Sequence, residues 1–528
     1  MIDLFHRRAR GVLAVLVGLV LVLGAGCSRG GGSPVAAPSP SSPSTPVGSV
    51  PPSTSPDPVA SPGELARFYE QRPQWQACGG DFQCTRVTVP RDYTAPAGAT
   101  LDLAVVRLPA TGRERVASLV LNPGGPGGSG VAYARAATQV VSEPILRRFD
   151  IVGFDPRGVA GSAPVDCLSD QQLDAFIAGD GSPDDPQEER ELVTQSREFG
   201  QGCARRSPEL LPFVSTEDAA RDLDVLRSAL GDDRLHYLGK SYGTYLGGAY
   251  AELFPDRVGR LVLDGALDPR VPEQDVALAQ AKGFQTALTA FVDECLEFPD
   301  CPLRDPRQEA LDQVRELLER ADRRPLPSTS GRPVTESLAL LGVVGSLYDD
   351  VSGWPLLREA LAEALDGQGD TLLAIADSYT ERRADGRYAS NQTEANIAIN
   401  CLDSADREAP PEELRVKEER FARVAPIFGP YLAWGEVTCA EWPVPPRPAP
   451  RPFRAAGAAP ILVVGTLRDP ATPHEWAVGL ADQLESGVLL TWDGDGHTAY
   501  QRGSVCVDDI VDAYLLRGAV PRDGRRCA

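Results

Sequence analysis

Two hydrophobic spacings alternate along residues 63–270 of this 528-residue chain. Short runs that are continuously apolar, or that alternate apolar and polar residues, are typical of strands; apolar positions recurring every three or four residues are typical of helices. Strand-like runs lie at 84–90, 101–108, 117–121, 149–154, 235–240 and 260–265, and a helix is predicted at 216–230. Strands that alternate with helices form a mostly parallel sheet covered on both faces, so the pattern predicts an α/β fold.

The spacing becomes helical throughout between about 271 and 425. The clearest helical stretches lie at 284–295, 305–318, 338–347, 354–364 and 371–379, and strand-like runs return at 460–465 and 487–492. A helical segment placed between strands of one sheet is an insertion into that sheet's fold. We therefore expect residues 63–270 and 426–528 to form one core, with residues 271–425 inserted as a helical lid.

The first 27 residues have the pattern of a bacterial export signal. A basic stretch at 6–10 precedes an apolar stretch at 12–23, which is too short for a comfortable transmembrane helix. Small residues then lead to Cys27, as in lipoprotein signals where that cysteine is lipidated and becomes the first residue. Gly24 stands where a Leu is usual in such signals, so ordinary secretion with cleavage nearby is the alternative.

A segment without core-forming residues follows the signal. Residues 28–62 contain ten prolines and only two charged residues, Arg29 and Asp57. This composition predicts a disordered, semi-extended tether. Beside a lipidated Cys27, such a tether would hold a catalytic body away from a membrane.

Charge and cysteine content narrow the function classes. Fifty-two Lys and Arg against 74 Asp and Glu give a net charge of −22, which argues against nucleic acid as a partner and leaves a lipid on Cys27 as the expected membrane contact.

Without Cys27, the eleven cysteines leave an even ten, and an exported protein would pair them as disulfides. Metal binding by these cysteines is disfavoured because the sequence contains no Cys-x-x-Cys pair. Pairing between sequence neighbours is expected: Cys78 with Cys84, Cys167 with Cys203, Cys295 with Cys301, Cys401 with Cys439, and Cys506 with Cys527.

A Gly-x-Ser-x-Gly pattern at 239–243 interrupts the transition from a predicted strand to a predicted helix. In a sharp strand-to-helix turn, the hydroxyl of Ser241 points to solvent from the sheet edge, and the small glycines let strand and helix pass closely. The helix that follows favours negative charge developing near that hydroxyl. The pattern predicts a nucleophilic serine, although the five-residue pattern is weak without its context.

A serine nucleophile needs a general base, and the chain has four histidines. His6 lies in the signal, and His236 lies inside the strand that precedes the serine. His474 falls on a predicted loop, where a solvated role is the simpler account. His497 follows a buried strand directly and should reach the sheet edge, so it is the predicted base.

The base needs an orienting carboxylate. Asp469 follows the strand predicted at 460–465 and precedes His497 by 28 residues. Asp493 and Asp495 lie closer in sequence, but they belong to the histidine's own turn and are expected to cap that loop. The resulting chain order of Ser241, Asp469 and His497 is that of α/β-hydrolases.

Glycines at 122–130 follow another buried strand and predict a loop whose backbone approaches the reacting atoms. The backbone N–H groups of Gly125 and Tyr242 are the predicted oxyanion hole. No metal or cofactor is required by this chemistry.

Six motifs together resemble the secreted tripeptidyl aminopeptidases of actinobacteria, which share the α/β-hydrolase fold and a serine-peptidase mechanism with the proline iminopeptidases. They are Asn-Pro-Gly-Gly-Pro-Gly at 122–127, Phe-Asp-Pro-Arg-Gly at 154–158, Gly-Lys-Ser-Tyr-Gly-Thr at 239–244, Ala-Ile-Asn-Cys-Leu-Asp at 398–403, Asp-Pro-Ala-Thr-Pro at 469–473 and Gly-His-Thr at 496–498. The resemblance runs from about Trp75 to the C-terminus. Pro123 stands where proline iminopeptidases carry a histidine, which fits the tripeptidyl branch. The resemblance implies release of short peptides from free N-termini, activity on small acyl esters and no cofactor.

Three functions compete on these residues: an exported serine exopeptidase, an extracellular carboxylesterase with the same triad under a different lid, and a non-enzymatic binding protein on a hydrolase scaffold. An exopeptidase must bury the protonated amine of its substrate, which requires a carboxylate near the lid. Asp403 is the predicted partner because it lies two residues after Cys401, and a Cys401–Cys439 disulfide would hold its backbone rigid. Glu394 is the alternative.

Overall fold

A computed structural model describes residues 63–404, 410–447 and 452–528 of the chain. The export signal, Cys27 and the tether predicted at 28–62 lie outside the described residues. The described part contains one ten-stranded sheet with helices on both faces, so the predicted α/β fold is confirmed.

The sheet is parallel from its centre to one edge and antiparallel at the other. Its strands are β1 (Gln76–Ala77), β2 (Gln83–Pro90), β3 (Thr100–Leu108), β4 (Ala117–Asn122), β5 (Phe149–Phe154), β6 (Leu235–Lys240), β7 (Val258–Asp264), β8 (Ile461–Arg468), β9 (Gly487–Asp495) and β10 (Arg525–Cys527), in the spatial order β1-β2-β3-β5-β4-β6-β7-β8-β9-β10. The pairs among β1, β2, β3 and β5 are antiparallel, and those from β5 to β10 are parallel. The two edge strands, β1 and β10, were not predicted because two or three residues carry no periodicity.

Helices connect these strands and cover the sheet. They are Ala66–Tyr69, Gly130–Arg135, Ala137–Val140, Glu143–Arg148, Asp170–Ile177, Pro186–Arg206, Thr216–Ala229, Tyr242–Leu253, His474–Gln483 and Val505–Arg517, with short 3-10 turns at Gly63–Leu65, Leu211–Phe213 and Pro255–Arg257. Alternate residues of a central strand enter different cores: Val120 packs on one face of the sheet, and Leu119 and Leu121 pack on the other. Because both faces of this strand are covered, its sequence is a continuous apolar run, and that run is what predicted it.

The segment between β7 and β8 is helical, as predicted. Its helices are Glu273–Cys295, Arg307–Arg323, Glu336–Leu347, Gly353–Leu365, Asp370–Tyr379, Gln392–Asp403, Pro411–Val424, Gly429–Trp434 and Val437–Ala440. Helical structure continues past residue 425, the expected end of the lid, because Ala433, Trp434 and Val437 pack with Leu414 and Phe421 in a small core of their own. Among the described helices, none is both long and apolar enough to cross a membrane.

A second helical segment, between β5 and β6, packs against this insertion and was not recognised in the sequence. The hydroxyl of Ser337 donates to the carbonyl of Gly179 at 2.6 Å. Arg382 forms an ion pair with Asp174 at 2.6 Å, and Arg415 pairs with Glu189. The lid is therefore built from two parts of the chain, residues 170–206 and the helices that follow β7.

Five disulfides join the ten cysteines that follow Cys27. Their partners are the expected sequence neighbours: Cys78–Cys84, Cys167–Cys203, Cys295–Cys301, Cys401–Cys439 and Cys506–Cys527. The Cys401–Cys439 bond ties the helix Gln392–Asp403 to the last helix of the lid. A disulfide of this kind stabilises a fold mainly by restricting the unfolded chain.

Candidate active site

Ser241 occupies a strained turn between β6 and the helix Tyr242–Leu253. Its φ and ψ are +56° and −128°, a conformation that few non-glycine residues adopt, and its backbone N–H donates to the carbonyl of Asp264 at 2.9 Å. A Cβ on Gly239 would lie 2.4 Å from the carbonyl oxygen of Gly243, and one on Gly243 would lie 2.8 Å from Asn122 Oδ1. Both glycines of the predicted motif are therefore required sterically at this turn.

His497 and Asp469 are joined directly. Nδ1 of His497 lies 2.9 and 3.0 Å from the two carboxylate oxygens of Asp469. The carboxylate also accepts from the backbone N–H groups of Ala471, Thr472 and Thr498, at 3.0, 2.8 and 3.0 Å. Because a carboxylate only accepts, it favours the tautomer with the proton on Nδ1, which leaves a lone pair on Nε2.

The other imidazole nitrogen is available to a nucleophile. Nε2 of His497 is buried and has no hydrogen-bond partner among the described residues. Ser241 and His497 line the same cavity. The structure thus brings the predicted serine, histidine and aspartate to one site: Asp469 contacts the imidazole, and Ser241 lines the same cavity as His497. Their catalytic roles stay a prediction.

The competing carboxylates point elsewhere. Arg468 binds Asp495 through two hydrogen bonds of 2.6 and 2.8 Å, and its third contact, at 3.1 Å, goes to Asp493. Both side chains therefore neutralise an arginine at the end of β8, and Asp469 is the carboxylate that contacts the imidazole of His497.

The remaining described histidines have structural contacts. On β6, His236 packs edge-on against Phe149 and accepts from the backbone N–H of Arg260, and its burial lowers the pKa to about 4. His474 was expected to be a solvated loop residue, and this expectation is wrong. It begins the helix His474–Gln483, its Nε2 lies 2.9 Å from Thr491 Oγ1, and partial burial lowers its pKa.

The glycine loop after β4 lies against the serine turn. Gly124 has a φ of +93°, and an added Cβ would lie 2.5 Å from the carbonyl of Lys240 and 3.0 Å from the backbone nitrogen of Tyr242. Asn122 Oδ1 accepts from the N–H of Gly124 at 2.9 Å and holds the loop in place. The next residue, Gly125, lines the cavity with the serine. The oxyanion role of Gly125 and Tyr242 stays a prediction.

The lid reaches this site through Tyr348. Its carbonyl accepts from the backbone N–H of His497 at 2.9 Å, and its ring stands edge-on to the imidazole with 5.1 Å between the ring centres. The phenol oxygens of Tyr348 and Tyr379 lie 3.3 Å apart, and both tyrosines line the cavity. His497 is therefore packed against the lid as well as the core.

The cavity beside Ser241 has a volume of about 620 Å³, and its wall contains both apolar and polar side chains. Gly125, Pro126, Ser241 and His497 come from the core side. The lid side is mainly apolar and aromatic, with polar groups in one region; its residues include Phe176, Ile177, Leu192, Leu340, Leu341, Tyr348, Trp434, Asp180, Ser337 and Tyr431. A cavity of this size accommodates a short peptide or a small ester.

The two carboxylates predicted to hold the substrate amine have other partners, which corrects that expectation. Asp403 accepts from the N–H and the hydroxyl of Thr216, at 3.0 and 2.5 Å, at the start of the helix Thr216–Ala229. Glu394 accepts from the N–H groups of Cys167 and Leu168, at 2.7 and 2.9 Å. Neither lines the cavity.

The helix that carries Glu394 and Asp403 does border the cavity. Glu394 lies on the helix face away from the lining residues, and Asp403 lies on their side of the helix but about two turns further along, where it binds Thr216. Gln392, Thr393 and Asn396 of this helix are lining residues. The amide nitrogen of Asn396 donates to the carbonyl of Pro126 at 3.0 Å, beside the glycine loop. This helix therefore places amide and hydroxyl side chains at the cavity, and neither of the two predicted carboxylates.

Three carboxylates that the sequence analysis did not select meet in the lid. Asp180, Asp322 and Glu336 each offer an oxygen within 4.8 Å of the others, and Asp180 lines the cavity. Ser182 donates through its N–H to Asp180 at 2.8 Å and through its hydroxyl to Glu336 at 2.9 Å. The other oxygen of Asp180, Oδ2, is buried without a hydrogen-bond partner among the described residues.

The electrostatics of this carboxylate group favour a cation. Burial, together with the charges of Asp322 and Asp180, raises the pKa of Glu336 to about 7, against the lowering effect of the Tyr431 and Ser182 hydroxyls. Carboxylates that share a site repel one another, and a positive ligand relieves that repulsion. Their spacing would suit a metal ion or an organic ammonium. In a chain with 74 acidic residues, nothing in the sequence singled these three out.

Known proteins similar to this chain agree with the geometry. Residues 425–527 match a family model described as TAP-like protein. Serine protease Hip1 of Mycobacterium tuberculosis is 39% identical over 485 residues, covering 89% of this chain and 91% of that protein. Carboxylesterase B of the same organism is 36% identical over 458 residues, covering 84% and 86% of the two chains.

Tripeptidyl aminopeptidase of Streptomyces coelicolor is 34% identical over 477 residues, covering 86% of this chain and 85% of that protein. Identity at this level over most of both chains shows common descent and a common fold. The protein is therefore a serine hydrolase of the α/β-hydrolase fold, and it belongs to the tripeptidyl aminopeptidase family of serine peptidases.

Proposed function

We propose that the protein is an exported serine exopeptidase that releases short peptides, with tripeptides as the expected length, from free N-termini. The observation that carries this proposal is the pairing of two features in one cavity. Ser241 and His497 lie in its wall, and so does Asp180, whose carboxylate belongs to a group of three without an ion-pair partner among the described residues. The serine and the histidine cleave acyl bonds, and the carboxylate group recognises the positively charged N-terminus of a peptide substrate.

The chemical step uses the chain's own residues. Ser241 attacks the scissile carbonyl carbon while Nε2 of His497 accepts the hydroxyl proton, and Asp469 stabilises the imidazolium through Nδ1. The N–H groups of Gly125 and Tyr242 would donate to the oxyanion. His497 then returns the proton to the leaving amine. Water, activated by the same imidazole, hydrolyses the acyl-enzyme and restores Ser241.

Recognition of the amine follows from charge. A protonated α-amino group buried in a cavity costs several kcal/mol unless a carboxylate accompanies it. Asp180 supplies that charge at the cavity wall, Glu336 belongs to the same carboxylate group without itself lining the cavity, and Tyr431 adds a polar lining group. A peptide whose amine is held there presents one fixed peptide bond to Ser241, which restricts cleavage to the chain end.

A matched substrate panel tests the proposal. Aminoacyl, dipeptidyl and tripeptidyl anilides would each be assayed with a free and with an acetylated N-terminus, using Ser241→Ala as the blank. We expect the free-amine tripeptide to have the highest kcat/KM and acetylation to lower it by ~10- to 100-fold, the value of a charge-assisted contact. Equal cleavage of free and acetylated peptides would contradict the exopeptidase assignment.

A carboxylesterase is the second candidate, and the apolar part of the cavity wall favours it. Phe176, Leu340 and Leu341 would accept an acyl chain, and one relative is named Carboxylesterase B. The same panel, extended with acetate and butyrate esters, separates the two functions. A short-chain ester that exceeds every peptide in kcat/KM would make the esterase activity primary.

Export and lipidation are part of the proposal and rest on residues outside the structure. Five disulfides support an oxidising compartment. In the native bacterium, or in a host that processes lipoproteins, metabolic labelling with an alkynyl fatty acid should mark the wild-type chain and leave Cys27→Ala unmarked. A wild-type chain without label would indicate ordinary secretion.

A further inference from the structure

Lys240 and Asp264 form a buried ion pair directly beside the serine. They are the last residues of β6 and β7 and lie opposite each other in the parallel register. Lys240 Nζ is 3.5 Å from Asp264 Oδ2, and the Asp264 side chain is fully buried while that of Lys240 is 12% exposed. The mechanism proposed above uses neither side chain.

Both residues bind the segment that follows the histidine. Asp264 Oδ1 accepts from the N–H of Ala499 at 2.9 Å, and its Oδ2 accepts from the N–H of Tyr500 at 3.0 Å. Lys240 Nζ donates to the carbonyl of Tyr500 at 2.7 Å and to Thr498 Oγ1 at 3.2 Å. Residues 498–500 are thus held to the ends of two strands, one of which leads into the serine.

The segment needs such anchors because its backbone is unusual. Thr498 has a φ of +69°, which is costly for a β-branched residue. Asp469 accepts from the Thr498 N–H, and Thr466 Oγ1 donates to its carbonyl at 3.1 Å. The ion pair adds contacts on the next two residues, so the chain after His497 is fixed over three consecutive positions.

Stability alone does not account for a charged pair at this depth. Burial lowers the pKa of Lys240, and the carboxylate of Asp264 acts in the opposite direction. Replacing a buried ion pair by apolar residues is often neutral or stabilising, so such a pair is weak evidence for a stabilising role. A pair that fixes the spacing between nucleophile and base does explain charges at this position.

We propose that Lys240 and Asp264 are positioning residues that hold residues 498–500 so that Nε2 of His497 faces the hydroxyl of Ser241. Asp469 orients the imidazole from its Nδ1 side. The Lys240–Asp264 pair sets the distance between the histidine segment and the strand that carries the serine. The inference rests on the proposed catalytic roles of Ser241 and His497, and it does not depend on whether the substrate is a peptide or an ester.

The test measures kcat and KM for a butyrate ester, with thermal unfolding, in Lys240→Met, Asp264→Asn and the double variant. Displacement of a catalytic group by about 1 Å lowers rates by on the order of 100-fold, so we expect kcat to fall by ~10- to 100-fold with KM within about 2-fold. The double variant should lose much less than the product of the single losses, because the residues act as a unit.

Lys282→Met and Asp509→Asn make the same chemical changes at exposed positions and serve as controls. A kcat per folded molecule equal to wild type in Lys240→Met, with only a lowered Tm, would overturn the inference. If Asp264→Asn does not fold, Lys240→Met still decides, because it leaves both backbone hydrogen bonds of Asp264 in place. Full activity in Ser241→Ala would instead refute the proposed catalytic serine.

Discussion

The carboxylate of Asp469 accepts from Nδ1 of His497 at 2.9 Å and, through Oδ2, from the backbone N–H of Thr498 at 3.0 Å. One side chain thus orients the imidazole and the backbone that follows it. Neutralising this carboxylate weakens both contacts and removes the charge that would stabilise an imidazolium.

Asp469→Asn should therefore lower kcat by ~10³- to 10⁴-fold with little change in KM, the loss seen when an orienting carboxylate is neutralised. Ser241→Ala and His497→Ala should cost at least as much, and combining them should add little. Steady-state kinetics on an ester and a peptide would measure this. Asp493→Asn, which alters the ion pairs with Arg468 and Arg526, is the control; a larger loss there than in Asp469→Asn would reverse the assignment of the acid.

Removing charge from the carboxylate group of the lid should affect only substrates that carry an amine. Asp180→Asn and Glu336→Gln should each lower kcat/KM for a free-amine tripeptide by ~10- to 100-fold and leave butyrate ester hydrolysis within about 2-fold. Asp184→Asn removes an exposed carboxylate from the same loop as Asp180 and should leave kcat/KM for both substrates unchanged. Equal losses on peptide and ester would show that Asp180 and Glu336 maintain the lid and do not bind the amine.

The raised pKa of Glu336 predicts a pH dependence specific to peptides. As pH falls through about 7, this carboxyl becomes neutral and attracts an ammonium group less, so KM for free-amine peptides should rise. The ester shares the triad and lacks the amine, so the ratio of the two kcat/KM values isolates the effect from any pH dependence of the shared chemical step. Glu336→Gln should flatten that ratio between about pH 6 and 7, below the range near pH 8 in which the substrate's own α-amino group loses its proton; a ratio that stays unchanged over this range in the wild type would contradict the assignment.

The contribution of Glu336 to the free energy of unfolding should change with pH in the direction opposite to that of an ordinary salt-bridged carboxylate. Its folded pKa lies above the unfolded value, so the folded state binds more protons and this group's contribution falls as pH rises from about 4.5 to about 7. Glu336→Gln should therefore stabilise the protein against wild type at pH 8 more than at pH 5. Denaturant unfolding at the two pH values measures the difference, and a difference of the reverse sign would place the carboxylate in a stabilising contact.

Gly124 should tolerate no side chain. A Cβ there would lie 2.5 Å from the carbonyl of Lys240 and 2.9 Å from Ser241 Cβ, so Gly124→Ala must displace either the glycine loop or the serine turn. We expect kcat to fall by about 100-fold or more. Gly231→Ala is a matched control, since its φ of +80° is similar but no atom lies within 4 Å of the added Cβ. It should cost about 1 kcal/mol of stability and no activity.

Much of the candidate active site was predictable because it follows from local patterns. Ser241, Asp469 and His497 each come after a strand whose apolar residues repeat with a period of two or run continuously. Parallel strands bring their carboxyl ends to one edge of the sheet, so residues far apart in sequence were expected to meet there. The cysteine pairs were equally local: the partners lie 6 to 38 residues apart.

The lid side of the site depended on tertiary structure. The segment that carries Glu394 and Asp403 is a helix that was not predicted, and it packs against other parts of the chain on more than one side. Which of its side chains reach the cavity depends on how far along the helix the cavity extends, and the spacing of residues in the sequence does not contain that information. The structure turned both carboxylates towards backbone N–H groups and left Asn396 on the cavity side.

Asp180 and Glu336 come from two helical segments separated by 156 residues in sequence and meet only when the lid folds. Carboxylates are common in this acidic chain, so their residue type carried no information before folding placed three of them together with no basic side chain paired to them among the described residues. Strand ends are aligned by the repeating geometry of the sheet, which local sequence encodes. Contacts between irregularly packed helices have no such repeat, and only the folded structure determines which side chains they bring to the cavity.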